Sequence, residues 1–178
     1  MSFKETLEKI EHSAEFKNFK KDNPHAKMYS AFFTMRNAHG NILTDSRQID
    51  YLLGKEKIVT FFIQDDQVKV KMDKLEKPVE NFKPLETKIK IELEDVKKMF
   101  LEEIKKQKII SDITEAIIIL QKVDNKQIWN IIVIFSSFQL LKMHIDMEGK
   151  ILLDQKENAF DMIHVEKGKK NEKQEKTK

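Results

Sequence analysis

The 178-residue sequence has no cysteine, only four glycines and three prolines. Without cysteine there is no disulfide, no thiolate zinc site, no iron–sulfur cluster and no cysteine nucleophile. So few glycines nearly exclude a Gly-rich phosphate loop. Long hydrophobic runs are missing too. The longest, Ala116 to Leu120 and Ile131 to Phe135, have five residues each, against the ~20 that a helix needs to cross a bilayer. The opening stretch, MSFKETLEKIEHSAEF, carries Lys and Glu in its first five residues and no apolar signal core. These features predict a cytoplasmic protein with no membrane partner.

An excess of one charge is also lacking. There are 33 Lys+Arg and 30 Asp+Glu, a net of +3. Residues 167–178, KGKKNEKQEKTK, hold six Lys and two Glu, so that this tail carries +4 and the other residues together −1. A body with no basic bias predicts no nucleic-acid partner, except weakly through the tail. The tail, with no apolar residue to bury, is predicted to be a disordered basic end.

What is present is regular patterning, in a chain that is 40% hydrophobic and 35% charged. Phe3, Leu7, Ile10 and Ala14 mark one face of a helix, and Ser13 is placed to cap a second, from Ala14 to Lys21. Strand-like stretches follow: Met28 to Met35, Arg47 to Leu53, Ile58 to Ile63, and Val68 to Met72 with alternating Lys. Turn residues separate them at 37–41 and at Asp65-Asp66. Pro78 and Pro84 mark a connection over 74–86, and a short extended segment is expected from Ile89 to Leu93. Glu94 to Lys108 is the clearest helix, acidic at its start and basic at its end. Thr114 to Val123, Gln127 to Ser136 and Phe138 to Met147 then read as strands. A hairpin at Glu148-Gly149 leads to a closing strand, Ile151 to Leu153. Phe160, Met162 and Ile163 are expected to tuck back onto the core.

The order of one helical region and four strands thus occurs twice, and the stretch Ile58 to Asp66 aligns without gaps on Leu140 to Glu148. This predicts an α+β fold of two helix-plus-antiparallel-sheet halves. The corresponding domains are residues 1–86, residues 87–166 and the tail 167–178.

In the second half a helix precedes Trp129 in a strand, followed by Met143-His-Ile-Asp146-Met-Glu-Gly149-Lys-Ile-Leu. This stretch resembles a PepSY-type module, in which a strand Trp is followed by a hairpin of the form Ile145-Asp146 then Gly149-Lys150-Ile151. The broader architecture resembles the cystatin-like fold, a curved antiparallel sheet wrapped on a helix. In tandem the two halves resemble small archaeal-type proteins. The likeness covers residues 94–154, and more weakly 1–73. It implies a binding role of the sort associated with peptidase inhibition, and it brings no catalytic residue with it.

Catalytic chemistry has little to build on. The five His, at 12, 25, 39, 144 and 164, stand apart, and HExxH and GxSxG are both absent. Asp146-Met-Glu148-Gly149 lacks calcium-loop spacing. Asp45 and Asp50 count as acid–base candidates only if a pocket surrounds them. No enzyme activity, cofactor or metal is therefore expected. The leading reading is a non-catalytic binding protein that pairs with a protein partner or with itself. Its sheet-face candidates are Tyr51, Trp129, Ile131 and Ile132. Tyr51 and Trp129 read as core aromatics, or as stacking platforms if they line an open face. Ile131 and Ile132 probe opposite faces of one strand. Two alternatives remain: a small-ligand-binding or enzymatic α+β protein with an enclosed pocket, and an RNA- or ribosome-associated protein acting through its Lys-rich tail.

Overall fold

The computed structural model describes residues 2–38, 40–80 and 83–158. Helix α1, Phe3–His12, opens at Ser2. The Ser2 hydroxyl accepts from the Glu5 backbone N–H at 3.1 Å, and the Ser2 N–H donates to the Glu5 carboxylate at 2.6 Å. That reciprocal pair satisfies two end groups of the helix at once. Ser13 ends α1 and caps α2, Ala14–Asp22, by accepting from Phe16 N–H at 3.1 Å. The bend expected at Ser13 is therefore a real break. Helix α3, Leu93–Lys106, begins beside α1: Phe3 N–H donates to the Glu92 carboxylate at 3.0 Å.

Four strands follow α2: β1 Lys27–Ala38, β2 Asn41–Leu53, β3 Lys57–Gln64 and β4 Gln67–Lys74. Four more follow α3: β5 Ile113–Val123, β6 Lys126–Phe135, β7 Gln139–Asp146 and β8 Ile151–Asn158. Two of the hairpins turn through residues with left-handed backbones, Asp65-Asp66 and Asp124-Asn125, as tight two-residue hairpins require. The turn before β8 uses Gly149 at φ +79°.

All eight strands form one antiparallel sheet in the order β4-β3-β2-β1-β5-β6-β7-β8. This corrects the expected fold class. The protein is mainly β, one continuous sheet with three short helices, and not two helix-plus-sheet halves. The physical reason is the seam between β1 and β5. Ala31 pairs with Leu120, Phe33 with Ile118 and Met35 with Ala116, six residue pairs in all, running on to Arg36 and Glu115. Both strands are rich in apolar side chains, and each fills its otherwise free edge by pairing with the other. The helices also contribute to one shared core, in which Phe3, Ile10, Phe16, Val96 and Phe100 join Phe33, Ile49, Phe61, Ile118, Trp129, Ile131 and Met143.

Two smaller expectations change. Residues 89–92 form no strand, and Leu93 is instead the first residue of α3. Strands β2 and β8 run well beyond Arg47 and Leu153, to Asn41 and Asn158. The expected tail at 167–178, and Phe160, Met162 and Ile163, lie outside the described residues.

The connection from β4 to α3 passes along one end of the sheet. Val79 N–H donates to Lys55 O at 2.7 Å and Leu85 N–H to Met28 O at 3.1 Å. The Gln127 side chain then clasps the backbone of Glu86, accepting from its N–H at 2.7 Å and donating to its carbonyl at 3.2 Å.

Candidate functional site

Strand geometry sends alternate side chains to opposite faces, and directly paired residues share a face. One line across the core face is Phe33, Ile118, Ile131 and Met143, and a second is Ala31, Leu120, Trp129 and Ile145. All eight are buried under the helices.

The opposite face carries a different set. One line runs Phe62, Gln48, Phe32, Ile119, Asn130, His144 and Leu153. The next runs Thr34, Ile117, Ile132 and Lys142, and the third Arg36, Glu115, Ile134 and Leu140. Ile117, Ile119, Ile132, Ile134 and Leu140 are only half-buried. None of them belongs to the core cluster or packs on it. Among the described residues no helix covers this face. Charged pairs rim the apolar strip, Arg36 with Glu115 at 3.3 Å and Lys142 with Glu157 at 2.7 Å.

The sequence candidates divide accordingly. Trp129 is fully buried, packs near Phe33 and donates from Nε1 to Ile91 O at 2.9 Å. Tyr51 lies under α2 among Phe16, Phe19 and Phe61, with ring centroids 5.3 to 5.9 Å away. Burial, with the Glu11 carboxylate nearby, pushes its phenol pKa far up. Ile131 is a core residue. Of the four, only Ile132 reaches the helix-free face. Ile117, Ile119, Ile134 and Leu140, its neighbours there, were not singled out in the sequence. Their signal is faint, because an unbroken Ile run does not say which member points which way.

At one end of the helix-free face, the β4–α3 connection overhangs the sheet and encloses an open cleft of about 820 Å³. Tyr29, Phe32 and Ile119 give it an apolar wall, and Ser30 and Asp50 give it a polar one. Val79, Glu80 and Lys83 come from the connection, and Lys122, Asp124 and Asn125 from the β5–β6 end. Asp50 is 6% exposed. Its carboxylate accepts from the Ser30 hydroxyl at 2.6 Å, the Thr60 hydroxyl at 2.7 Å and the Gln48 amide at 3.4 Å. The other acidic candidate, Asp45, is at the surface beside Arg36, at 3.4 Å. Among the described residues no group of three or more His, Asp or Glu side chains comes together as a metal cluster. No described helix is long and apolar enough to cross a membrane.

No family model matches the chain, and no curated protein matches it. Among solved structures, a candidate lipoprotein from Clostridium difficile 630 is similar over 80% of this chain and 90% of its own, with a TM-score of 0.52 and 14% sequence identity. At that identity the likeness shows a shared fold and nothing further.

Proposed function

We propose that the chain is a non-catalytic binding protein whose interface is the helix-free face of the sheet, centred on Ile117, Ile132, Ile134 and Leu140. The observation that carries the reading is the position of the helices. All three contribute to the core on one side of the sheet, while an apolar strip on the other side has no cover among the described residues. Apolar strips with polar rims are what protein interfaces are made of. The rim here holds both signs, Arg36 and Lys142 with Glu115 and Glu157. A mixed rim is self-complementary, so a second copy of the chain, its sheet stacked face to face on the first, is the partner this surface fits.

The test is oligomeric state. Sedimentation over a range of concentrations should show a reversible dimer. Ile132→Glu should give a folded monomer, because its side chain lies outside the core, whereas Ile131→Glu should unfold the protein. A wild-type chain that stays monomeric at the highest concentrations overturns the reading. The absence of catalysis and the cytoplasmic setting are part of the same proposal; recovery of the native protein in a membrane fraction would overturn the setting.

A further inference from the structure

The Asp50 cleft adjoins the apolar strip at Ile119, but Ile117, Ile132, Ile134 and Leu140 do not line it, and it presents an unusual charge arrangement. A carboxylate taken out of water is costly unless it is both hydrogen-bonded and paired with a cation. Asp50 meets only the first condition. Its three donors, Ser30, Thr60 and Gln48, are all neutral. Among the described residues no Lys, Arg or His nitrogen lies within ion-pair distance of it, and its hydrogen-bond partners are those three. Lys122, a cation of the cleft lining, is bound to the Glu86 carboxylate at 2.9 Å and to Pro84 O at 3.3 Å. Lys83, also in the lining, is exposed.

A carboxylate offers about four acceptor positions, so three donors leave one free. The cleft into which Asp50 faces is walled by the Tyr29 and Phe32 side chains. Aromatic faces attract cations, and the attraction grows where water is excluded. A buried carboxylate with one open acceptor position and two aromatic neighbours is complementary to an N–H-bearing cation with a short apolar body. Ile119 supplies the surface for that body.

We propose that this cleft is a binding site for a small organic ammonium ion, held by Asp50 against Tyr29 and Phe32. The charge of the ligand completes the buried carboxylate's environment, and its alkyl part lies on Ile119. Ser30 and Thr60 hold the carboxylate in place and do not themselves touch the ligand's charge.

The experiment uses the full chain and two probes of the same shape and opposite charge, n-butylammonium and butyrate. Amide shifts in a two-dimensional NMR titration should saturate with butylammonium at a dissociation constant of about a millimolar or tighter. They should centre on Tyr29 to Phe32, Asp50 and Ile119 to Gln121. Butyrate should produce no saturable shift at those positions. Asp50→Asn, which keeps the shape and removes the charge, should weaken butylammonium binding about tenfold. If Asp50→Asn does not fold, the comparison of the two probes on the wild-type chain still decides. Equal responses to the two probes, an unsaturable response to butylammonium, or unchanged affinity in a folded Asp50→Asn protein would overturn the proposal. Repeating the titration on the folded Ile132→Glu protein, whose substitution lies outside the cleft lining, separates these outcomes from any effect of dimerisation.

Discussion

At the scale of single residues, two carboxylates have been drawn into the protein and treated differently. Asp50 is surrounded by neutral donors. Glu103, on α3 and 4% exposed, accepts from the Gln107 amide at 2.9 Å and from the Lys106 ammonium at 3.1 Å. The Gln107 bond, helped by Lys106, holds the Glu103 carboxyl below the usual glutamate range, against burial, which pushes it up. A carboxylate whose folded pKa is depressed stabilises the protein above its unfolded pKa, and that contribution fades as pH falls through the folded value. Glu103→Gln should therefore lower the urea midpoint most near neutral pH, and the gap from wild type should close in acid. A gap that is the same at every pH would show that ionisation of Glu103 contributes nothing.

At the scale of elements, the joint between α1 and α2 depends on Ser13. Its hydroxyl donates to Ile10 O at 2.7 Å while accepting from Phe16 N–H, so one side chain closes a helix and opens the next. Ser13→Ala should cost about 1 kcal/mol, read as a lower melting temperature, and Ser13→Asn should recover most of it. A Ser13→Ala protein as stable as wild type would place the joint's stability in the packing of Ile10 and Phe16. This element was legible in the sequence because a cap and a change of apolar face coincide at one residue. The helix at α3 and the hairpin at Asp65-Asp66 were legible for similarly local reasons. The faces of β5 and β6 were not. Ile117, Ile118 and Ile119 are chemically alike, yet only Ile118 belongs to the core. A run of one residue type carries no period. The β1–β5 seam was hidden for another reason: it joins residues far apart in the chain, and nothing local in Ala31 or Leu120 specifies the other. Asp50 could be read only as a carboxylate between Ile49 and Tyr51. The wall that makes a cleft of its surroundings comes from the distant residues Val79, Glu80 and Lys83.

At the scale of the whole molecule, the shared core predicts a single cooperative unfolding event. Trp129 reports on the α3 side, and far-UV circular dichroism reports on all the strands. Thermal transitions by the two probes should coincide. A Trp129 transition displaced from the backbone signal would mean that the β1–β5 seam parts before the strands on either side of it melt. The seam also has a consequence for the chain as it is made. Synthesis delivers β1 to β4 together, so three of the first four strands can find their neighbours at once. The inner strand, β1, cannot. Its second edge stays bare until the ribosome has passed β5, and during that interval Phe32, Phe33 and Met35 flank a row of unpaired backbone groups. A strand of this kind is a template for any other extended chain nearby. The finished protein has β1 at its centre, but the nascent one carries the same strand as its most adhesive edge.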